Sequence, residues 1–256
     1  MQEVTAKQTG TFLEEQQTLL YTEGIRTARA RYYFLMKRVF DMTISLVILV
    51  LISPILVLIA LLIRLDSPGK VIFIQERVGA KRHVQNGRSV WMLYTFPFYK
   101  FRTMRADISH DLHQKYIEAY IKGDESKMSE LQPDKKTADS YKLSGDPRIT
   151  RIGTLLRRLS LDELPQLWNV VKGDMSLVGP RPPISYEVKT YQQQHLMRLG
   201  AIPGITGMWQ VNGRCETTFE EMFQLDLEYI QNQSIWLDFK ILLQTVPAVL
   251  TAKGAG

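Results

Sequence analysis

Apolar residues are unevenly distributed along this chain. From Met42 to Ile63 there are 22 residues without a charge. As a helix rising about 1.5 Å per residue, such a run reaches across a bilayer core of roughly 30 Å. It shows almost no polar face, whereas the core helix of a water-facing protein keeps one. The pattern predicts a helix in lipid. A long leader containing acids and the lack of a small-x-small cleavage site argue against a secretory signal.

Ser53-Pro54 interrupts this run. A proline removes one helical hydrogen bond and clashes with the preceding turn, so a bend is expected there. The serine hydroxyl is placed to satisfy a freed carbonyl. The twenty residues before Met42 hold five Lys or Arg, and the twenty after Ile63 also hold five. A spanning helix should be flanked asymmetrically. Equal flanks favour a re-entrant hairpin with both ends on the cytoplasmic side and its bend at Ser53-Pro54. The alternative is a kinked but spanning helix.

Beyond the run the periodicity changes. Residues 1–23 are polar and mixed in charge. Residues 25–38 mix Arg26, Arg29, Arg31, Lys37 and Arg38 with Tyr32, Tyr33 and Phe34, as suits a helix lying at a membrane surface. Val71–Ile74 and Val90–Tyr94 read as short strands separated by Gly79 and by the turn signal Asn86-Gly87. Residues 107–140 are charge-rich and read as surface helix. Helical stretches are expected near 185–199, 217–231 and 236–251, the last either interfacial or core. This gives a mostly helical α+β fold with a small β-hairpin. Its predicted parts are an N-terminal tail and interfacial segment (1–36), a re-entrant membrane helix (37–65) and a catalytic domain (66–256).

Charge then narrows the partners. The net charge is +6 with a pI of about 9.3, which favours anionic partners such as phosphates or lipid headgroups. The cations are spread along the chain and flank the apolar run, so nucleic acid is not the expected partner. The single cysteine, Cys215, permits no intrachain disulfide. His110 and His113 lack a third ligand at zinc-site spacing and read as surface residues.

Four stretches carry candidate chemistry. In Arg157-Arg158-Leu159-Ser160-Leu161-Asp162-Glu163-Leu164-Pro165-Gln166, one carboxylate can attack phosphorus while the other holds a divalent cation. Mg²⁺ favours one or two carboxylates completed by phosphates and water. Phosphoryl transfer also needs cations against the phosphate oxygens. Arg157 and Arg158 lie a helical turn upstream. By spacing alone an exposed acidic patch with salt bridges is the better explanation of the pair, because Asp-Glu steps are common. Arg181 in Gly179-Pro180-Arg181-Pro182 is held between prolines, as bidentate phosphate binding requires. Lys100 and Arg102 in Lys100-Phe101-Arg102-Thr103-Met104 are two more cations. The glycine-rich stretch from Pro203 to Arg214 contributes Gln210 and Arg214, and either takes a nucleotide or turns the chain.

These stretches occur in a recognisable order. Lys37-Arg38-Val39-Phe40-Asp41, Ser53-Pro54, Gln75-Glu76-Arg77-Val78-Gly79, the Lys100 stretch, Asp146-Pro147-Arg148, Leu161-Asp162-Glu163-Leu164-Pro165-Gln166, Gly179-Pro180-Arg181-Pro182 and Pro203-Gly204-Ile205-Thr206-Gly207 together resemble the monotopic phosphoglycosyl transferases, bacterial sugar transferases acting on polyprenyl phosphate. The resemblance runs from about Lys37 to the C-terminus and is closest to the compact form. It implies a re-entrant helix–break–helix with the catalytic domain, bearing amphipathic interfacial helices, on the cytoplasmic face of the bacterial inner membrane. It implies Asp162 as the nucleophile toward a UDP-sugar, a covalent phosphosugar–aspartate, and transfer to undecaprenyl phosphate. Glu163 is implied as a Mg²⁺ ligand, and Arg157, Arg181, Lys100, Arg102, Arg148, Gln210 and Arg214 as phosphate or substrate contacts. The segment 107–140 is absent from the smallest members. The competing expectation is a membrane-anchored scaffold that lost the chemistry. Membrane lipids are expected partners in either case. Which sugar is used, and whether the chain forms a homodimer, stay open at this level.

Overall fold

A computed structural model describes residues 19–21, 27–85, 88–105, 111–131, 148–212 and 217–250. Strand β1 (Leu19–Tyr21) is followed by helix α1 (Thr27–Leu51) and helix α2 (Ser53–Asp66). No break separates the arginine- and tyrosine-rich lead from the apolar run. A single helix crosses position 36, where sequence placed a separate interfacial segment. The two helices meet at 63°. Pro54 has no N–H for the Val50 carbonyl four residues back. Ser53 Oγ donates to that carbonyl instead, at 2.8 Å, so the bend leaves it bonded. At about 1.5 Å per residue, 14-residue α2 is only about 21 Å long. No single described helix is long and apolar enough to cross a membrane, though this bent pair meets that test together.

Helix α1 packs Phe40, Ile44 and Ile48 against the core, yet it also buries polar residues and leaves an apolar face outward. Lys37, Asp41 and Ser45, spaced four apart, are buried against the domain. Leu35, Val39, Met42, Leu46, Val50 and Leu51 face outward, as do Ile55, Val57, Leu58, Leu61 and Leu65 of α2. The buried charges are neutralised. Lys37 Nζ lies 2.8 Å from Asp238 Oδ2, which also accepts from Tyr33 OH at 2.9 Å. Tyr229 OH donates to Asp238 Oδ1 at 2.7 Å.

Strands β2 (Ile72–Gln85) and β3 (Arg88–Phe101) form a long antiparallel hairpin, and β1 adds to the outer side of β3. Both strands extend well past the short runs expected from sequence. Gly79 lies inside β2 and separates nothing. A Cβ there would come within 2.9 Å of the Phe96 ring, so glycine serves close packing in the sheet.

Helices α3 (Asp111–Lys122) and α4 (Glu125–Leu131) occupy the charge-rich segment. They are more than surface cover. Tyr116, Ile117, Tyr120 and Met128 pack with Trp209, Phe219 and Met222 into one core cluster. Helix α5 (Arg151–Arg158) leads through a 3₁₀ turn (Leu161–Glu163) to α6 (Gln166–Lys172). Then come β4 (Ser176–Val178), α7 (Ser185–Thr190), a 3₁₀ stretch (Gln193–Leu199), β5 (Gly204–Thr206), α8 (Met208–Asn212), α9 (Phe219–Gln231) and α10 (Ile235–Leu250). The central core joins Phe96 and Phe98 of β3 to Leu167 and Val170 of α6, Val178 of β4, Tyr229 of α9 and Ile241 of α10. The fold is therefore α+β and mostly helical. In α10, Asp238 and Ile241 are buried, whereas Trp236, Phe239, Leu243 and Val246 face outward. The helix packs as core on one side and leaves an apolar face outward on the other.

Candidate active site

The acidic pair lies in a turn secured from several directions. Thr150 caps α5, its hydroxyl accepting from Gly153 N at 3.0 Å. Gly153 faces the Thr103 carbonyl of the β3 exit, where an added Cβ would meet that oxygen at 2.1 Å. Helix α5 ends in Arg157 and Arg158, and Ser160 then takes a left-handed conformation with φ 55°. Serine pays about 1 kcal/mol or more to sit there, a cost that structures tolerate where it aims a following residue. It turns the chain so that Asp162 and Glu163 fall in the 3₁₀ turn, both half-buried.

Asn169 of α6 ties this turn to the hairpin. Its Nδ2 donates to Pro97 O at 2.7 Å and its Oδ1 accepts from Tyr99 N at 3.2 Å. Arg38 of α1 donates to the Val170 and Val171 carbonyls at the end of α6. Neither residue was assigned a role from sequence. Arg38 stood in a quoted motif, whereas Asn169 carried no signal.

Cations converge on the acids. Arg181 Nη1 lies 3.7 Å from Glu163 Oε1. On β3, Lys100 sits opposite Phe73, its ammonium 5.1 Å from that ring centre. Burial pushes the Lys100 ammonium down to about 8. Nearby Arg77, Arg181 and Arg157 push the same way, and Asp162 opposes them. Asp162, Glu163, Arg181, Lys100 and Arg157 thus lie in one charged neighbourhood.

Other sequence candidates lie elsewhere. Arg102 is buried at the end of α2, where its guanidinium donates to the Pro68 carbonyl at 2.8 Å and the Ser67 carbonyl at 2.6 Å. It ties down the C-terminal end of α2. Gln210 Nε2 donates to the Ile205 carbonyl at 2.9 Å, within its own loop. Arg148 is buried where residues 148–150 run beside the β3 exit, its carbonyl accepting from Arg105 N. Arg214 and His110 lie outside the described residues. The loops of Gly179 and Gly204 lie backbone to backbone beside the parallel pair β4 and β5; a Cβ on Gly204 would meet Gly179 N at 2.1 Å. The second glycine-rich stretch therefore supports the loop that carries Arg181.

The sequence profile of bacterial sugar transferases matches residues 32–252, from the second turn of α1 to beyond the end of α10. The chain belongs to this family. Galactosyl transferase CpsE of Streptococcus agalactiae is 41% identical to this bacterial sugar transferase over 224 residues, covering 87% of the chain and 44% of CpsE. Exopolysaccharide production protein ExoY of Rhizobium meliloti is 36% identical, covering 86% of the chain and 87% of ExoY. Undecaprenyl-phosphate galactose phosphotransferase of Salmonella typhimurium is 38% identical, covering 86% of the chain and 41% of that protein. The chain thus spans less than half of two of these relatives and most of the third.

Proposed function

We propose that this bacterial sugar transferase moves a sugar 1-phosphate from a UDP-sugar to polyprenyl (undecaprenyl) phosphate, starting assembly of an exopolysaccharide or related glycoconjugate. The observation that carries this reading is the meeting of Asp162 and Glu163 with Arg181 and Lys100. A carboxylate nucleophile ringed by cations is the arrangement that phosphoryl transfer to an enzyme group requires. The names of the CpsE, ExoY and Salmonella relatives support the sugar, the polymer and the lipid acceptor in turn.

An Asp162 oxygen attacks the β-phosphorus of the donor. The bond from that phosphorus to the bridging oxygen breaks, and UMP leaves. A phosphate oxygen of the lipid then attacks the same phosphorus, freeing Asp162 and giving polyprenyl-diphosphate-sugar. Arg181 and Lys100 oppose charge on the transferred phosphoryl oxygens, and Arg157 adds to the field. Neither step needs a proton from the protein, because both leaving oxygens depart as anions. The donor set also fits Mg²⁺. Two adjacent half-buried carboxylates, with no cluster of three His, Cys, Asp or Glu among the described residues, suit a cation completed by phosphate and water. Glu163, with Asp162 beside it, would hold the ion, which supplies further neutralisation of phosphate charge when bound.

The apolar outward face of α1 supports seating in lipid. Its outward face is apolar, while its packed side includes the buried polar residues Lys37, Asp41 and Ser45 beside Phe40, Ile44 and Ile48, so an apolar medium suits the outward face. The 63° bend and the shortness of α2 favour a hairpin entering one leaflet. Outward Trp236 and Phe239 of α10 and Trp168 of α6 suit the headgroup layer. Equal positive flanks favour having both ends, and the catalytic domain, on the cytoplasmic face of the inner membrane.

The decisive experiment incubates the protein with a panel of labelled UDP-sugars and undecaprenyl phosphate in nanodiscs. Lipid labelling by wild type, none by Asp162→Asn, and a phosphosugar trapped on Asp162 by mass spectrometry are expected. UMP release that requires the acceptor lipid contradicts the covalent route. An unlabelled lipid with every sugar leaves the scaffold reading standing.

A further inference from the structure

Arg77 has no part in the reaction described above, yet its setting is costly to build. Its side chain is 4% exposed, and a buried guanidinium is tolerated only when its donors and charge are used. Nη1 donates to the Pro182 carbonyl at 2.9 Å, and Nη2 donates to Gln75 Oε1 at 2.8 Å. Glu187 of α7 lies 3.9 Å from Nη1, and the guanidinium sits 5.1 Å from the Phe98 ring centre.

The choice of Pro182 follows from sequence. Pro180, Pro182 and Pro183 have no N–H, so the segment around Arg181 is anchored chiefly through carbonyls. The Pro180 carbonyl accepts from Gly204 N at 2.9 Å, and the Pro183 carbonyl from Val78 N at 2.9 Å. Both are main-chain anchors. The Pro182 carbonyl, one residue beyond Arg181, is held by a side chain, and that side chain is Arg77. The register pairs Phe73 with Lys100, Gln75 with Phe98 and Arg77 with Phe96, so Arg77 and Lys100 share one face of the hairpin. One strand pair thereby carries the Lys100 cation and the anchor of the Arg181 cation.

We propose that Arg77 is a positioning residue. By holding the Pro182 carbonyl it sets where the Arg181 guanidinium meets Glu163 and the phosphate beside them. This rests on the transferase reading above. Its charge also acts on Lys100, in the same sense as those of Arg181 and Arg157.

The test is a double-mutant cycle on UMP release by the full chain in nanodiscs, using the UDP-sugar that wild type accepts. The variants are Arg77→Gln, Arg77→Lys, Arg181→Ala and the two pairs Arg77→Gln/Arg181→Ala and Arg77→Lys/Arg181→Ala, each with its melting temperature. Arg77→Gln lowers kcat/KM about 30-fold when Arg181 is present and less than about 3-fold when Arg181 is alanine, the signature of groups acting as a unit. Arg77→Lys, which keeps the charge and the stem over Phe98, falls between wild type and Arg77→Gln. It carries the comparison if Arg77→Gln does not fold. A change that only damages the fold costs the same factor in both backgrounds. Equal losses with an active wild type overturn the role of Arg77 alone. A wild type inert toward every sugar overturns the transferase reading and the role of Arg77 with it.

Discussion

On the proposed mechanism, Lys100 should make the reaction depend on pH in a range where few other groups titrate. Its ammonium loses its proton near pH 8 in the free protein, chiefly because burial removes water and because Arg77 stands nearby. The protonated form is present below that pH and is lost above it. From the Henderson–Hasselbalch relation, about nine tenths is charged at pH 7, about half at pH 8 and about one tenth at pH 9. If only the charged form stabilises the transferred phosphoryl group, kcat/KM for UMP release falls about tenfold between pH 7 and pH 9. The first half-reaction must be measured alone, in a single turnover without lipid acceptor. The acceptor is a phosphate monoester, whose own proton near pH 6 to 7 would distort a full-cycle profile. Bound diphosphate favours the charged lysine, so the limb in kcat lies at higher pH than the limb in kcat/KM. Lys100→Arg keeps its charge throughout and gives a profile without this limb, at lower absolute rate because a guanidinium is bulkier and differently directed. A wild-type profile flat from pH 7 to 9.5, or the same limb in Lys100→Arg, refutes the assignment.

Two further outcomes concern the helix pair. Lys37→Met strands the buried Asp238 carboxylate with two tyrosine donors, costing about 3 kcal/mol, at the low end for a broken buried pair. For a chain of this size the melting temperature drops by about 6–12 °C, and Lys37→Met/Asp238→Leu recovers part of that; an unchanged melting temperature in Lys37→Met contradicts the packing described. Pro54→Leu restores a backbone donor for Val50 and favours a straight, spanning helix. A cysteine placed in the N-terminal tail then becomes reactive to an impermeant reagent outside intact cells, while in the Pro54 parent it stays protected; labelling of the parent rules out the hairpin.

How much was legible from sequence differs by element, for physical reasons. The bend at Ser53-Pro54 was readable because proline's missing donor is a local fact. The cluster of Asp162, Arg181 and Lys100 was readable only through the order of motifs, since these residues stand up to 81 positions apart. Arg102 was misplaced because sequence does not say where a guanidinium points. The chemistry that opposes phosphate oxygens equally well caps the carbonyls of α2. Residues 107–140 read as surface because charges dominate their composition. The buried set Tyr116, Ile117 and Tyr120 occupies one helical stripe within that background. The ion pair of Lys37 with Asp238 spans 201 positions and leaves no local trace.

Arg102 makes the anchor and the chemistry inseparable as building blocks. It stands two residues after Lys100 and grips the Ser67 and Pro68 carbonyls just beyond α2. Moving that register by one residue would turn Lys100 to the opposite face of the hairpin and release the helix end together. A chimaera that exchanges residues 27–66 for the bent helices of another family member should therefore inherit the donor's 97–102 strand as well. Grafted alone, a foreign hairpin would bring its own seating depth to a cationic site built for a different one.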